Sequence, residues 1–171
     1  LDVLIRARAA MQDALMGAWS ARIKNLPLTE PYEALVLASI VEKETGVASE
    51  RPEIAGVFVR RLALGMRLQT DPTVIYGLGA EFDGNLTRRH LRDDNNPFNT
   101  YRIAGLPPTP IALPGKEAIM ASLNPTDGEA LYFVAKGDGS HAFSRTLSEH
   151  EENVRRYQLK RRKDYRSSPK Q

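Results

Sequence analysis

The chain has 171 residues, 42% of them hydrophobic and 26% charged, and no cysteine. This suits one globular domain with a core that needs no metal or disulfide staple. Thiolate catalysis and Cys-ligated zinc are excluded, and the longest apolar stretch, residues 34–41, is too short to span a bilayer.

The net charge of +3 hides an asymmetry. Residues 155–171 carry eight Lys and Arg against Asp164, or +7, which leaves 16 basic and 20 acidic residues, or −4, for the rest. A nucleic-acid binder wears its basic residues on a folded face. Here they sit at the end of a solvated helix and in a basic tail, residues 158–171, so no nucleic-acid partner is expected. The chain opens at Leu1 on a helical pattern with no initiator Met. It reads as a single domain, 1–171, of a longer protein.

Leu4, Ala7, Met11, Leu15, Ala18 and Trp19 recur at helical spacing and predict a first helix over 3–23. After Pro27 and Pro31 a second runs over 32–47 and ends near Gly46. Ser49, Glu50 and Pro52 open a third, which Gly65 stops. Residues 66–115 hold six prolines among many Asn, Thr and Gly and read as loop, interrupted by short helices after Asp71-Pro72 and after Thr87. A helix over 116–123, a strand over 130–135, a turn from Gly137 to Ser140 and a returning strand over 141–145 follow. Ser148 is the expected N-cap of a last helix. The expected class is α+β, mainly helical, with a Pro-rich loop region and a small antiparallel β element.

The second helix carries the first chemical signal. At 100° per residue, with Leu37 at 0°, Ile40 falls at about 300°, Val41 at about 40° and Glu44 at about 340°. Glu44 therefore lies on an apolar stripe. Glu42, at about 140°, points nearly the other way. Burial disfavours the charged carboxylate and raises its pKa, which would let Glu44 hold a proton near neutrality and donate it. On the wheel alone, the commoner outcome is a Glu near a helix end that reaches solvent or pairs with an Arg.

Other centres are weaker. His90, His141 and His150 are scattered without metal-ligand spacing, no Gly-x-Ser-x-Gly elbow is present, and Gly77-Leu78-Gly79 lacks the features of a phosphate loop. No metal or cofactor is expected. The loops offer Gln69, Thr70, Asp71, Asn99 and Tyr101 beside rigid turns, and His141 at the start of a strand borders a groove. Amide, hydroxyl and aromatic groups on stiff loops suit sugar binding. The same loops can equally brace one another, with Asp71 as the N-cap of a helix that has Pro72 at its first position.

Ala38-Ser39-Ile40-Val41-Glu42-Lys43-Glu44-Thr45, the run from Arg67 to Gly77, Asn99-Thr100-Tyr101, Gly105-Leu106-Pro107-Pro108, Pro114-Gly115 and Tyr132-Phe133-Val134-Ala135 with His141 and Phe143 together resemble the signature of the endolytic murein transglycosylase family, the YceG-like proteins. The resemblance runs from about Leu4 to Tyr157. It implies a peptidoglycan lytic transglycosylase that cleaves the β-1,4 MurNAc–GlcNAc bond, leaves 1,6-anhydro ends and terminates nascent strands. It also implies an upstream inner-membrane anchor with a LysM-like portion, a catalytic domain on the periplasmic or extracytoplasmic side, glycan strands as substrate and cell-wall synthases as candidate partners. Glu44-Thr45-Gly46 is similar to the Glu-Ser-Gly turn of other lytic transglycosylases, so resemblance and wheel select the same acid. Two rivals stay open: a water-using muramidase with Asp71 as second carboxylate, and a non-catalytic glycan-binding module that positions synthases.

Overall fold

The computed structural model describes residues 1–159; the rest of the expected basic tail lies outside the described residues. Among the described residues, seven α-helices and one two-stranded sheet follow in order: α1 (Asp2–Ser20), α2 (Pro31–Glu44), α3 (Arg51–Ala63), α4 (Asp71–Leu78), α5 (Arg88–Leu91), α6 (Lys116–Leu123), β1 (Tyr132–Ala135), β2 (His141–Ser144) and α7 (Leu147–Val154). The fold is α+β and mainly helical, as expected.

Helix α2 is the axis. It packs against α1, α3, α4 and α6, and Ala34, Val36, Leu37, Ala38, Ile40 and Val41 are all buried. Burial on nearly every side is more than one apolar stripe predicts, because small Ala34 and Ala38 let neighbours approach the remaining faces. Phe58 and Ile54 of α3, Ile119 and Leu123 of α6, and Leu15 and Ala18 of α1 complete the core. The Pro-rich loop is anchored to this axis. Ser39 is fully buried, donates to the Val36 carbonyl at 2.7 Å and accepts the Ile111 N–H at 2.9 Å.

Several boundaries differ from expectation for local reasons. Helix α2 stops at Glu44 rather than near Gly46, because Thr45 turns extended (φ −134°, ψ 135°) and its hydroxyl accepts the Val47 N–H at 2.9 Å. Thr70, not Asp71, occupies the N-cap of α4, and Asp71 and Pro72 fall inside the first turn. Thr146, not Ser148, caps α7: its hydroxyl accepts the Glu149 N–H at 3.2 Å while Glu149 reaches back to the Thr146 N–H at 3.3 Å. The pattern Thr-x-x-Glu is a capping box that was present in the sequence.

Strands β1 and β2 pair antiparallel, with Tyr132 opposite Ser144 and Ala135 opposite His141. The turn between them uses Gly137 and Gly139 at φ 90° and 96°, which glycine adopts freely. The hairpin packs on α3 through Phe133, whose ring meets Phe58 edge-on at 5.7 Å.

Candidate active site

The last residue of α2 opens into a cavity of about 580 Å³. Glu44, Arg61, Gln69, Thr70, Asp71, Tyr101, Tyr132, Phe133, His141 and His150 contribute to its walls. Five of the six side chains expected to bind sugar therefore stand around Glu44: Gln69, Thr70, Asp71, Tyr101 and His141. The sixth does not. Asn99 is fully buried and spends its amide on backbone. Its Nδ2 donates to the carbonyls of His90, Leu91 and Asp93 at 3.2, 3.2 and 2.8 Å, and its Oδ1 accepts the Tyr101 N–H at 3.1 Å. It shapes the turn that presents Tyr101 and cannot reach the cavity.

Glu44 is held as the helical wheel predicts, at the end of the stripe of Leu37, Ile40 and Val41, each wholly buried. Burial raises its pKa from 4.5 to about 7; a hydrogen bond from Thr70 opposes the rise and the charge of Asp71 adds to it. The Thr70 hydroxyl donates to Oε2 at 2.6 Å, which leaves Oε1 as the oxygen to carry a proton. Glu42 faces elsewhere: it accepts the Gly115 N–H at 3.0 Å and lies 3.7 Å from Arg51. It joins α2 to the loop before α6.

The segment carrying Gln69 and Thr70 is braced by buried polar groups. Thr70, Thr73 and Thr100 are buried together. The Thr70 N–H donates to Thr100 Oγ1 at 3.1 Å, Thr73 donates to the Thr70 carbonyl at 2.7 Å, and the Thr73 and Thr100 hydroxyls lie 2.8 Å apart. Gln69 adopts φ 53°, a left-handed conformation that disfavours a side chain by about 1 kcal/mol and is held only where the surroundings dictate it. Its N–H is pinned to the Thr100 carbonyl at 3.2 Å.

Arg61, which the sequence reading missed, supplies the rest of that brace. It is 7% exposed. Its Nε donates to the Leu131 carbonyl at 2.6 Å, and NH1 to the carbonyls of Arg67 and Leu68 at 3.1 and 2.9 Å. One cation thus ties α3 to the turn before Gln69 and to the entry of β1, and it lies 5.0 Å from the Tyr132 ring centroid. The signal was available, since Ile54, Phe58 and Arg61 share one helical face. Tyr132 in turn stacks on His150 at 5.2 Å, and burial, then the charge of Arg61, lowers the His150 pKa.

Across the cavity, the Tyr101 hydroxyl donates to Asp71 Oδ1 at 2.7 Å. Burial, then the Asp71 charge, pushes the Tyr101 pKa upward, so the phenol keeps its proton and remains a donor. The cavity thus offers one proton-holding carboxyl, one carboxylate bonded to a phenol, and polar and aromatic walls.

Fold and site define a small, mainly helical α+β domain built around a single carboxyl with its pKa near neutrality. The chain belongs to the YceG-like family, which matches residues 1–156. It is 35% identical over 157 residues to the endolytic murein transglycosylase of Bacillus subtilis (strain 168), covering 92% of this chain and 43% of that protein. It is 34% identical over 158 residues to the endolytic murein transglycosylase of Streptococcus pneumoniae (strain D39), covering 90% of this chain and 28% of that one. The crystal structure of a yceG-like protein from Listeria monocytogenes superposes with a TM-score of 0.64 at 44% identity, over 71% of this chain and 38% of that one. The chain therefore spans less than half the length of each of these relatives.

Proposed function

We propose that this domain cuts the β-1,4 bond between N-acetylmuramic acid and N-acetylglucosamine inside peptidoglycan strands, without water, and leaves a 1,6-anhydro end. The observation that carries this reading is Glu44, whose carboxyl has a pKa of about 7 and lines an open cavity. At neutral pH a large fraction of such a carboxyl holds a proton for a leaving group.

The steps balance on that one group. Oε1 of Glu44 gives its proton to the glycosidic oxygen, and the C1–O bond breaks with its electron pair on that oxygen. The muramoyl C6 oxygen attacks C1, and its proton passes to the ionised Glu44. The acid is regenerated and no water is consumed, so a second carboxylate is not required as it is in ordinary glycosidases. Tyr101 and the hydroxyl-rich loop would hold the sugar rings. The relatives are named endolytic murein transglycosylases, which supports a transglycosylase acting on murein. In the whole protein we place the domain on the extracytoplasmic face of the bacterial membrane, behind an upstream anchor, ending nascent strands beside cell-wall synthases. No helix among the described residues is long and apolar enough to cross a membrane.

One observation favours a second reading. Asp71 lines the same cavity and acts electrostatically on Glu44, as the second carboxylate of a water-using muramidase would. Mass spectrometry of digested glycan strands separates the two. Anhydro ends support the transglycosylase; hydrated reducing ends alone would replace it with the muramidase. Glu44→Gln should abolish cleavage and Glu42→Gln should keep most of it, and the reverse pattern would sink the assignment of the acid.

A further inference from the structure

Glu50 immediately precedes α3, at the position where a carboxylate commonly accepts the helix's own first N–H groups. It makes no such bond. Its carboxylate instead reaches His141, 91 residues away. Oε1 accepts the His141 backbone N–H at 3.0 Å, and Oε2 lies 2.8 Å from the ring Nδ1. The two side chains are only 15% and 6% exposed. The ring is further fixed edge-on against Phe133 at 5.5 Å, and Phe133 is fixed in the same way against Phe58.

An ionised carboxylate only accepts, so Nδ1 must carry the hydrogen. In the neutral imidazole the other nitrogen, Nε2, is then an acceptor. His141 lines the cavity that holds Glu44, and with Nδ1 engaged by Glu50, Nε2 is the ring's remaining polar atom. A staple between β2 and α3 would need only the backbone bond. The second bond selects the tautomer.

We propose that Glu50 is a positioning residue that holds His141 as its Nδ1–H tautomer, so that Nε2 accepts a hydrogen bond from a hydroxyl or acetamido N–H of the bound saccharide. The saccharide part rests on the glycan-cleaving reading above; the tautomer part does not.

The first test is 15N NMR of the imidazole in the intact chain. His141 should show a protonated Nδ1 and an unprotonated Nε2. In Glu44→Gln protein, a soluble tetrasaccharide of peptidoglycan should move the Nε2 resonance and leave Nδ1 in place. Glu50→Gln keeps only one accepting oxygen for two N–H groups, so it should release the ring toward the Nε2–H tautomer that free imidazole prefers in water. KM should rise about tenfold, the value of one good hydrogen bond, with kcat within about twofold. A wild-type spectrum showing Nε2–H overturns the proposal. So does a Glu50→Gln protein with a lowered Tm and an unchanged tautomer, which would make the pair a staple only. If Nδ1–H is seen but the tetrasaccharide binds without moving Nε2, the acceptor role falls. If wild-type protein neither binds nor cuts glycan, the glycan reading and the saccharide part fall together, while the spectrum still decides the tautomer.

Discussion

The Thr70 hydroxyl donates to Glu44 Oε2 at 2.6 Å, and this bond opposes the burial that lifts the carboxyl's pKa to about 7. A donor on the carboxylate favours its charged form. For a reaction that begins with proton donation, kcat/KM should fall as pH rises through about 7. Thr70→Val removes the donor at nearly constant shape, so the alkaline limb should move up by on the order of one pH unit. Profiles of kcat/KM against pH for the two proteins check this. A limb that stays in place or moves down would show that Thr70 does not tune the acid.

The same carboxyl makes stability depend on pH with a definite sign. Its folded pKa is about 7 and its ordinary value 4.5, so between these values the folded chain binds a proton that the unfolded chain releases. The contribution is therefore full below pH 4.5 and is lost as pH rises through about 7. At 1.36 kcal/mol per unit, the loss is roughly 3 kcal/mol. Glu44→Gln has no such titration. It should be more stable than wild type at pH 8 and have little advantage at pH 4. Urea midpoints of both proteins at the two pH values test this, and an equal gap at both would contradict it.

The apolar stripe that ends at Glu44 was legible because the wheel used only the periodicity of α2, and that helix is regular up to Glu44. Its C-terminal boundary was not legible, because the outcome turned on whether Thr45 would continue the helix or give its hydroxyl to the Val47 N–H. The cavity wall was read as composition, polar residues on stiff loops, and composition does not distinguish a side chain facing the cavity from one facing the loop. That is why Tyr101 and Asn99 looked alike in sequence, yet one lines the cavity and the other is buried on three carbonyls. The pairing of Glu50 with His141 spans 91 residues, and no local pattern announces it.

Arg61 satisfies three carbonyls while nearly shielded from water. Arg61→Met keeps much of the volume but leaves those carbonyls without a donor. It should cost roughly 2 to 4 kcal/mol. Because the turn it braces leads directly into Gln69 and Thr70, cleavage should fall by roughly tenfold or more even where the variant is folded. Arg61→Lys, with fewer and differently aimed donors, should lie between. Denaturation midpoints and single-turnover rates would be compared. A Met variant with wild-type stability and rate would show that the brace is dispensable.

Gly77 shows how α4 is tied to the loop that presents Tyr101. A Cβ at Gly77 would lie 1.9 Å from Asn96 Oδ1. Asn96 is buried there, donates to the Val74 carbonyl at 3.1 Å and accepts the Phe98 N–H at 2.9 Å. It cannot move aside without breaking both bonds. Gly to Ala inside a helix ordinarily stabilises by about 0.5 to 1 kcal/mol. Gly77→Ala should reverse that sign and destabilise by roughly 2 kcal/mol or more, since overpacking and two lost hydrogen bonds outweigh the backbone gain. Gly17 in α1 is the control, because nothing stands within 4 Å of its Cβ position, and Gly17→Ala should show the ordinary gain. Thermal melts of the two variants beside wild type decide the matter. Opposite shifts support the wedge at Asn96, and a stabilised Gly77→Ala protein would mean that the loop carrying Asn99, Thr100 and Tyr101 is not held against α4 as described.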